Sequence, residues 1–446
     1  MRCGRLATIG LCLGLLAGCP RLPAYVCQDD ASCDRDGASG RCLEDGACAY
    51  PDGACGSGWV RSPNAADRPG QCEPAPGAES SSTGVATGSD SGSGEDVTEG
   101  GSSGPTPTCG SAVAFAVNTA FFGAPEVLEG YPVVVSIASP EIVAAIVAGG
   151  MDPWVTDAAG APLVHELEQL DAALGTLTLW VKLPAYALDE AVPLTLRFGA
   201  PPPTGEPTAV WTDRYVGVWH MDDALSGIDG DAVRNSATPS EAGRTVGEMQ
   251  PEQSVPGVLG GGLAFDGVDD MVTIDAAFVG ALDSYSLSMW IRFDGAADAP
   301  GDYFQRLNGD YFYPRCWRQA GASVFCQYIV DDVVTGLGSG LEQAPGQLLH
   351  LAMVRDADTG AHRLFIDGEL VNENSDPVGA TLPDEGYPFE LGHGELGTLL
   401  GMIDEVRVSQ APLPASWVRA DYRTQLEPGL AVTDVGAIEP APCDAE

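Results

Sequence analysis

The chain has 446 residues, of which 63 are acidic and 21 are basic, so its formal net charge is −42 at neutral pH. This length allows two or three domains with hydrophobic cores of their own. The charge excludes binding to nucleic acid or anionic lipid headgroups through a basic patch, because Lys182 is the only lysine in the sequence.

The N-terminal residues have the pattern of an export signal. Arg2 and Arg5 precede a short apolar run that cannot span a bilayer permanently, and small residues then lead to Cys19 in the sequence LAGC. This stretch resembles the lipobox of bacterial lipoproteins, in which the cysteine is lipidated and becomes the first residue of the mature chain. The resemblance predicts a signal peptide at 1–18 and a lipid anchor at Cys19, and so a protein exported to the outer membrane or cell surface. An ordinary signal peptide cleaved near Ala17 is the alternative.

The cysteines agree with export. Of the thirteen in the chain, ten lie outside the signal and the anchor, an even number that suits an oxidising compartment. Six of them crowd the segment 19–73 and predict a disulfide-rich module. A zinc site is the alternative there, but the segment lacks histidine and C-x-x-C spacing. Cys316 and Cys326 are placed as facing residues of a hairpin would be, and Cys109 and Cys443 bracket the folded part, so both pairs are candidate disulfides.

Residues 74–108 are rich in Gly, Ser, Thr and acidic residues and predict a disordered linker, because nothing in them can form a core. Beyond them, alternating segments such as TLTLWVKL and VPLTLRF predict a β-sandwich at 109–205, with one short helix in EIVAAIVAGG. The order of DPWVTDAAGAPLVHELEQLD, LTLWVKLP and LRFGAP resembles a bacterial domain family of uncharacterised function that often precedes a lectin-like domain. In HELEQ, Glu166 and Glu168 share a strand face that we expect to be solvated.

Five motifs occupy the last two hundred residues. They are YVGVWHMDD, GGGLAFDGVDDMVTI, SLSMWIRF, HLAMVRDADTGAHRLFIDGELV and GMIDEVRVSQAPLPASWVRADY. Their order resembles that of laminin-G-like and concanavalin-A-like jelly rolls, and Asp367-Gly368 is the dipeptide that closes a type I′ hairpin. The resemblance covers 213–426 and leaves 427–446 as a C-terminal tail. The expected fold is mainly β, with two consecutive antiparallel β-sandwiches after the disulfide-rich module and the linker, the second a jelly roll.

The last of these motifs contains an acid pair within a predicted strand. Strand alternation places Asp404 on one face with Val406 and Val408, and places Glu405 and Arg407 on the other. A carboxylate among apolar side chains requires a cation or several hydrogen bonds. Asp404 is therefore a calcium ligand, a structural anchor that accepts backbone N–H groups, or a catalytic residue.

Calcium is the candidate cofactor, because many jelly rolls of the family that this chain resembles hold a structural calcium ion. Such an ion needs further hard oxygen ligands near Asp404. Asp222 and Asp223, in the opening motif, are the candidates, and the alternative is that these acidic turn residues are simply solvated.

The segment DYFQRLNGDYFYPRCWRQ combines aromatic side chains with a local excess of arginine in an otherwise acidic chain. Aromatic faces suit sugar rings, and arginine suits carboxylate or sulfate groups on a glycan. Tyr311, Tyr313, Arg315 and Trp317 are therefore candidate ligand-binding residues. The alternative is that alternate aromatics fill the core between the sheets.

Members of the jelly-roll family that this chain resembles commonly bind glycans or proteins. No strand here carries the alternating acids of the related polysaccharide hydrolases, and the five histidines are scattered along the chain. We therefore expect a non-catalytic surface lipoprotein that recognises a glycan. An adhesion or scaffold protein that binds another envelope protein is the alternative, and a polysaccharide-active enzyme is a more remote one.

Overall fold

A computed structural model describes residues 41–42, 48–51, 59–61, 108–200, 207–211, 214–275, 283–308, 311–319, 323–330, 333–379 and 388–442. The chain divides into two compact units, Met1–Gly101 and Ser102–Glu446. In the first unit, a small antiparallel sheet contains β1 (Arg41–Cys42), β2 (Cys48–Pro51) and β3 (Trp59–Arg61). The predicted signal peptide, the anchor at Cys19 and residues 74–107 of the predicted linker lie outside the described residues.

The second unit begins with an antiparallel β-sandwich. Its elements are β4 (Thr108–Asn118), β5 (Pro132–Ala138), α1 (Pro140–Gly149), β6 (Trp154–Asp157), β7 (His165–Asp171), β8 (Thr176–Lys182) and β9 (Ala191–Phe198). One sheet has the order β5-β8-β7, and the other contains β4, β9 and β6. Helix α1 begins after Ser139, whose hydroxyl accepts a hydrogen bond from the Ile142 amide, and ends at Gly150 in the left-handed conformation.

The remaining strands and a second helix follow in chain order. They are β10 (Tyr215–Trp219), β11 (Ala232–Val233), β12 (Gly243–Val246), β13 (Ser254–Pro256), β14 (Gly261–Asp266), β15 (Met271–Ile274), β16 (Tyr285–Phe293), β17 (Gly301–Asn308), β18 (Tyr311–Arg318), β19 (Ser323–Val330), β20 (Val333–Glu342), β21 (Leu348–Asp356), β22 (Ala361–Ile366), β23 (Glu369–Ser375), β24 (Phe389–Leu391), β25 (Leu400–Ser409), α2 (Ala415–Leu426), β26 (Val432–Thr433) and β27 (Glu439–Pro442). Short 3₁₀ helices cover Thr119–Phe122, Pro207–Val210, Pro251–Gln253 and Pro428–Ala431.

Two large antiparallel sheets pack face to face in this second half, as expected for a jelly roll. The first has the order β13-β14-β25-β16-β21-β22-β23, with β10 also paired to β25, and the second has the order β11-β12-β15-β24-β17-β18-β19-β20. Their inner faces form one hydrophobic core, to which Leu287, Met289 and Ile291 of β16 contribute on alternate positions. The prediction of a mainly β protein with a jelly roll is confirmed.

The predicted turn chemistry is present. Asp367 and Gly368 join β22 to β23, and both have positive φ, 52° and 77°, as a type I′ turn requires. Strands β18 and β19 place Cys316 opposite Cys326, and the two form a disulfide. The prediction that these two cysteines face each other in a hairpin and form a disulfide is therefore confirmed.

The segment named above as a C-terminal tail contributes β26 and β27, which both pair with β4 of the first sandwich. Pro442 is the register partner of Thr108, next to Cys109. Cys443 and the side chain of Cys109 lie outside the described part of the structure, so their pairing stays a prediction. Neither helix in the described ranges has the length and apolar composition needed to cross a membrane.

Candidate functional site

The outer face of the β11–β20 sheet carries a row of polar side chains. Antiparallel register pairs each member with the next on the neighbouring strand, so all of them project to the same face. This polar row consists of Arg244, Thr273, Glu390, Gln305, Arg315 and Gln327. Adjacent residues along the strands, such as Val272, Phe389 and Cys316, belong to the hydrophobic core. The polar row therefore faces away from the core, and six strands contribute one residue each.

Hydrogen bonds hold the middle of the polar row in place. Gln305 Nε2 donates to Glu390 Oε2 over 2.8 Å, and Gln305 Oε1 accepts from the Glu395 amide over 3.1 Å. Arg315 pairs with Asp302 at 2.7 Å and with Glu395 at 3.0 Å. Burial raises the pKa of the Asp302 carboxyl, although Arg315 opposes this shift. These contacts fix the planar groups of Gln305 and Arg315, which are 2% and 3% exposed.

An aromatic pair lies beside the row. The Arg315 guanidinium is 4.6 Å from the centroid of the Trp317 ring, and the Trp317 and Phe325 ring centroids are 4.9 Å apart. Gly336 leaves room for this pair, because a Cβ atom there would lie 2.5 Å from the Phe325 ring. The predicted ligand residues Arg315 and Trp317 thus occupy the face opposite the core residue Cys316. The predicted pair Tyr311 and Tyr313 lies on β18, and their side chains are outside the described part.

A surface depression of about 440 Å³ lies at the other end of the polar row. Its walls are formed by Ser240, Glu241, Ala242, Arg244, Thr273, Asp275 and Pro388. The volume is in the range of small-molecule sites, but the lining is more polar than in most of them. Arg244 and Thr273 belong to both the depression and the polar row, whereas Gln305 and Arg315 at the middle of the row are 2% and 3% exposed.

The structure does not bring the predicted calcium ligands together. Asp222 and Asp223 both pair with Arg234, at 3.2 and 2.7 Å. Asp404 is fully buried, and its Oδ2 accepts a hydrogen bond from the Val258 amide over 2.6 Å. That bond is of the kind expected for a structural anchor. Two groups of His and acidic side chains in the described ranges have converging ligand atoms, and neither includes these three aspartates. Calcium binding stays a prediction.

The expected alternation along β25 is wrong at its centre. A register shift against β16 separates Asp404 from Arg407, and Glu405 has a positive φ of 50°. This bulge inserts one residue, so the strand resumes with Val406 and Val408 in the core, on the face of Ile403. Asp404 and Glu405 both lie on the opposite side, contrary to the expectation that the two acids face apart.

The expectation of a solvated face for Glu166 and Glu168 is also wrong. Their side chains are 17% and 1% exposed, because β7 packs against residues of the second half of the chain. Trp211 Nε1 donates to Glu166, and Trp180 Nε1 donates to Glu168. Burial raises the pKa of Glu168 to about 7. Sequence alternation identified the shared face of these acids, but not the protein surface that covers it.

One known family model matches a segment in the second half of the chain. Residues 266–419 match the model of the concanavalin A-like lectin/glucanases superfamily. This part of the chain has the concanavalin A-like jelly-roll fold. The match extends from the end of β14 into α2, so the lectin-like domain includes every member of the polar row except Arg244.

Several solved structures resemble parts of the chain. The binding domain of Paraclostridial mosquitocidal protein 1 is 10% identical, with a TM-score of 0.37 over 47% of this chain and 52% of that one. The botulinum neurotoxin serotype D ligand binding domain in complex with N-acetylneuraminic acid is 11% identical, with a TM-score of 0.38 over 49% and 52%. Trypanosoma rangeli sialidase, in complex with a difluoro-nononic acid, is 13% identical, with a TM-score of 0.38 over 59% and 43%.

The chain thus spans about half the length of these solved structures. A search of curated proteins finds no match to the sequence. The description of residues 266–419 as lectin-like rests on the match to the family model.

Proposed function

We propose that this protein is an exported, lipid-anchored binding protein whose lectin-like domain recognises carbohydrate along the polar row. The observation that carries the proposal is the polar row on a sheet face that points away from the core, in which Arg244, Thr273, Glu390 and Gln327 are at least partly exposed. The two central members, Gln305 and Arg315, are buried and hold their neighbours in place. With neighbouring strands roughly 4.8 Å apart, its six members span about 24 Å. An oligosaccharide could reach the accessible members on both sides of the buried Gln305 and Arg315, whereas a single sugar could not.

The chemistry of the row matches that of a sugar chain. Hydroxyl groups both donate and accept hydrogen bonds, and the row offers donors at Arg244 and Gln327 and an acceptor at Glu390. Phe325, which is partly exposed beside the buried Trp317, adds ring surface of the kind that packs against the C–H face of a pyranose. Arg244, in the depression, would favour a glycan that carries a carboxylate or sulfate.

We propose binding without catalysis. Glycoside hydrolysis requires one carboxylic acid and one carboxylate that are free to act on the same glycosidic bond. Here Asp302 and Glu395 are held by Arg315, and Glu390 is held by Gln305 and lies 3.3 Å from His393. Carboxylates held in this way suit the positioning of a bound sugar rather than its hydrolysis. If no glycan binds, an envelope protein becomes the favoured partner of this face.

Replacing Glu390 with glutamine is expected to weaken glycan binding about tenfold, because a hydrogen bond to a charged group contributes roughly 1.5 to 3 kcal/mol. The purified protein would first be screened on a broad glycan array, and affinities for the selected glycan would be compared by calorimetry. Glu373→Gln is the matched control, because Glu373 lies on β23 of the other sheet and pairs at the surface with Arg363. An array without saturable binding would contradict the proposal, as would equal affinities of the two variants.

The same array tests calcium. Binding that disappears in EDTA and returns with calcium, but not with zinc, would support the calcium prediction for Asp404, Asp222 and Asp223. Binding that is unaffected by EDTA would leave Asp404 as an anchor for the Val258 amide.

The lipid anchor has its own test. When the protein is made in a bacterium that lipidates proteins, Cys19→Ser is expected to abolish incorporation of labelled palmitate and to release the protein from the membrane fraction. Cys12→Ser, within the predicted signal, is the matched control and should keep the label. Label that persists in Cys19→Ser would contradict lipidation at this residue.

A further inference from the structure

A buried cluster of one histidine and three glutamates joins the first sandwich to the second half of the chain. Glu166 and Glu168 come from β7, His220 follows β10 directly, and Glu405 lies at the bulge of β25. The side chains of His220 and Glu405 are 8% and 0% exposed. This histidine–glutamate cluster is separate from the polar row, whose members come from other strands.

Three ligand atoms of the cluster converge. His220 Nδ1 lies 2.8 Å from Glu405 Oε1 and 3.1 Å from Glu168 Oε2. The three residues each offer one ligand atom within 4.8 Å of the other two. The other ring nitrogen, Nε2, points towards Glu166, with 3.7 Å to its Oε2. One side of the imidazole thus faces two carboxylates, and the other side faces a third.

Surrounding groups orient each carboxylate. Trp180 Nε1 donates to Glu168 Oε2 over 2.8 Å, and Arg407 donates to Glu405 Oε2 over 2.5 Å. In the described structure Glu168 Oε1 is buried without a hydrogen-bond partner, and so is His220 Nε2. A buried polar atom that makes no hydrogen bond is costly, so the cluster keeps polar groups whose bonding capacity is not used within the described structure.

We propose that His220, Glu168 and Glu405 are the ligands of a divalent transition-metal ion of the zinc type. One imidazole nitrogen and two carboxylate oxygens form a donor set that suits zinc. The converging atoms now lie at hydrogen-bond distances from the imidazole, and they would move apart by a few tenths of an ångström to surround one ion. Glu166 would then act through His220, because metal-bound histidines commonly direct their other N–H to a carboxylate. Zinc would replace the proton that His220 otherwise shares with the two glutamates.

Such an ion would connect the two halves of the second unit. Its ligands come from β7, on one side, and from the β10 and β25 regions, on the other. An ion that binds only the folded arrangement stabilises it by mass action. We therefore expect zinc to raise the melting temperature of the full chain and EDTA to lower it, whether or not the polar row binds a glycan.

The test uses the purified full chain, first treated with EDTA and then equilibrated with zinc. Elemental analysis after gel filtration is expected to find one zinc ion per chain, and Glu168→Gln and His220→Gln are each expected to weaken zinc binding at least tenfold. Glu166→Gln should keep the stoichiometry while lowering affinity about 10- to 100-fold, as expected for a group behind a ligand. Circular dichroism checks that each variant is folded. If His220→Gln does not fold, Glu168→Gln still tests the proposal.

Asp269→Asn is the matched control, because Asp266, Asp269 and Asp270 form the other converging group in the described ranges and contain no imidazole. It should bind zinc as the parent chain does. The proposal is overturned if the parent chain retains no zinc. It is also overturned if Glu168→Gln and His220→Gln bind zinc as tightly as the parent chain does, and loss of binding in Asp269→Asn alone would assign the ion to the aspartate group.

Discussion

Replacing Arg407 with methionine is expected to lower the free energy of unfolding by about 3 to 5 kcal/mol, the range for breaking a buried ion pair from one side. The Arg407 side chain is 1% exposed and pairs with Glu405 at 2.5 Å and with Asp421 at 3.8 Å. Its guanidinium also lies 4.3 Å from the ring of Trp180. Methionine would fill much of the volume but leave Asp421 without its basic partner and Glu405 with His220 in place of two basic partners, so the loss is electrostatic rather than steric.

Urea unfolding at neutral pH measures this loss. Arg363→Met is the matched control, because Arg363 also pairs with a glutamate on a β-strand, yet its side chain and that of Glu373 are 32% and 50% exposed. Surface pairs contribute roughly 0 to 1 kcal/mol, so the control should change stability little. Equal effects of the two substitutions would show that Arg407 is not a buried electrostatic anchor.

Much of the fold could be predicted from local sequence. Alternation in TLTLWVKL and VPLTLRF indicated β8 and β9, and the dipeptide Asp367-Gly368 indicated the turn between β22 and β23. These signals are local, because a strand needs only a period of two and a tight turn needs residues that tolerate positive φ. The order of the five motifs then indicated the jelly roll.

The polar row was only partly predictable. Arg315 was singled out by local composition, but Thr273 and Glu390, which belong to the same row, lie far away in sequence. Antiparallel register alone brings these residues into line. A search for residues of one chemical type within a short segment could not have assembled a site from six strands.

The histidine–glutamate cluster was missed for two physical reasons. Alternation assumes an unbroken strand, and the bulge at Glu405 reverses the faces without a glycine to signal it. Alternation also cannot tell water from another protein surface, so the shared face of Glu166 and Glu168 looked solvated. The His220 position gave no local sign of its two acidic neighbours, which come from β7 and β25.

Acidification is expected to destabilise the jelly roll through His350. This side chain is 1% exposed on β21, and its ring centroid is 5.1 Å from that of Trp290. Burial lowers the pKa of His350 to about 3, and the charge of Arg407 adds to that effect. In the unfolded chain a histidine has a pKa of about 6.5, so between these two values the unfolded state binds the extra proton. The stabilisation is therefore fully present above about pH 6.5 and is lost as the pH falls towards 3.

The loss over this window is on the order of 4 kcal/mol, or about 1.4 kcal/mol per pH unit. His350→Phe keeps a ring against Trp290 but cannot be protonated, so its unfolding free energy should fall less steeply with decreasing pH than that of the parent chain. Carboxyl groups that titrate in the same window affect both proteins equally and cancel in the difference. His393→Gln is the matched control, since the His393 side chain is 38% exposed. It should retain the parent slope in urea unfolding between pH 7 and 4, and an identical slope in His350→Phe would mean that His350 is solvated enough to be protonated in the folded protein.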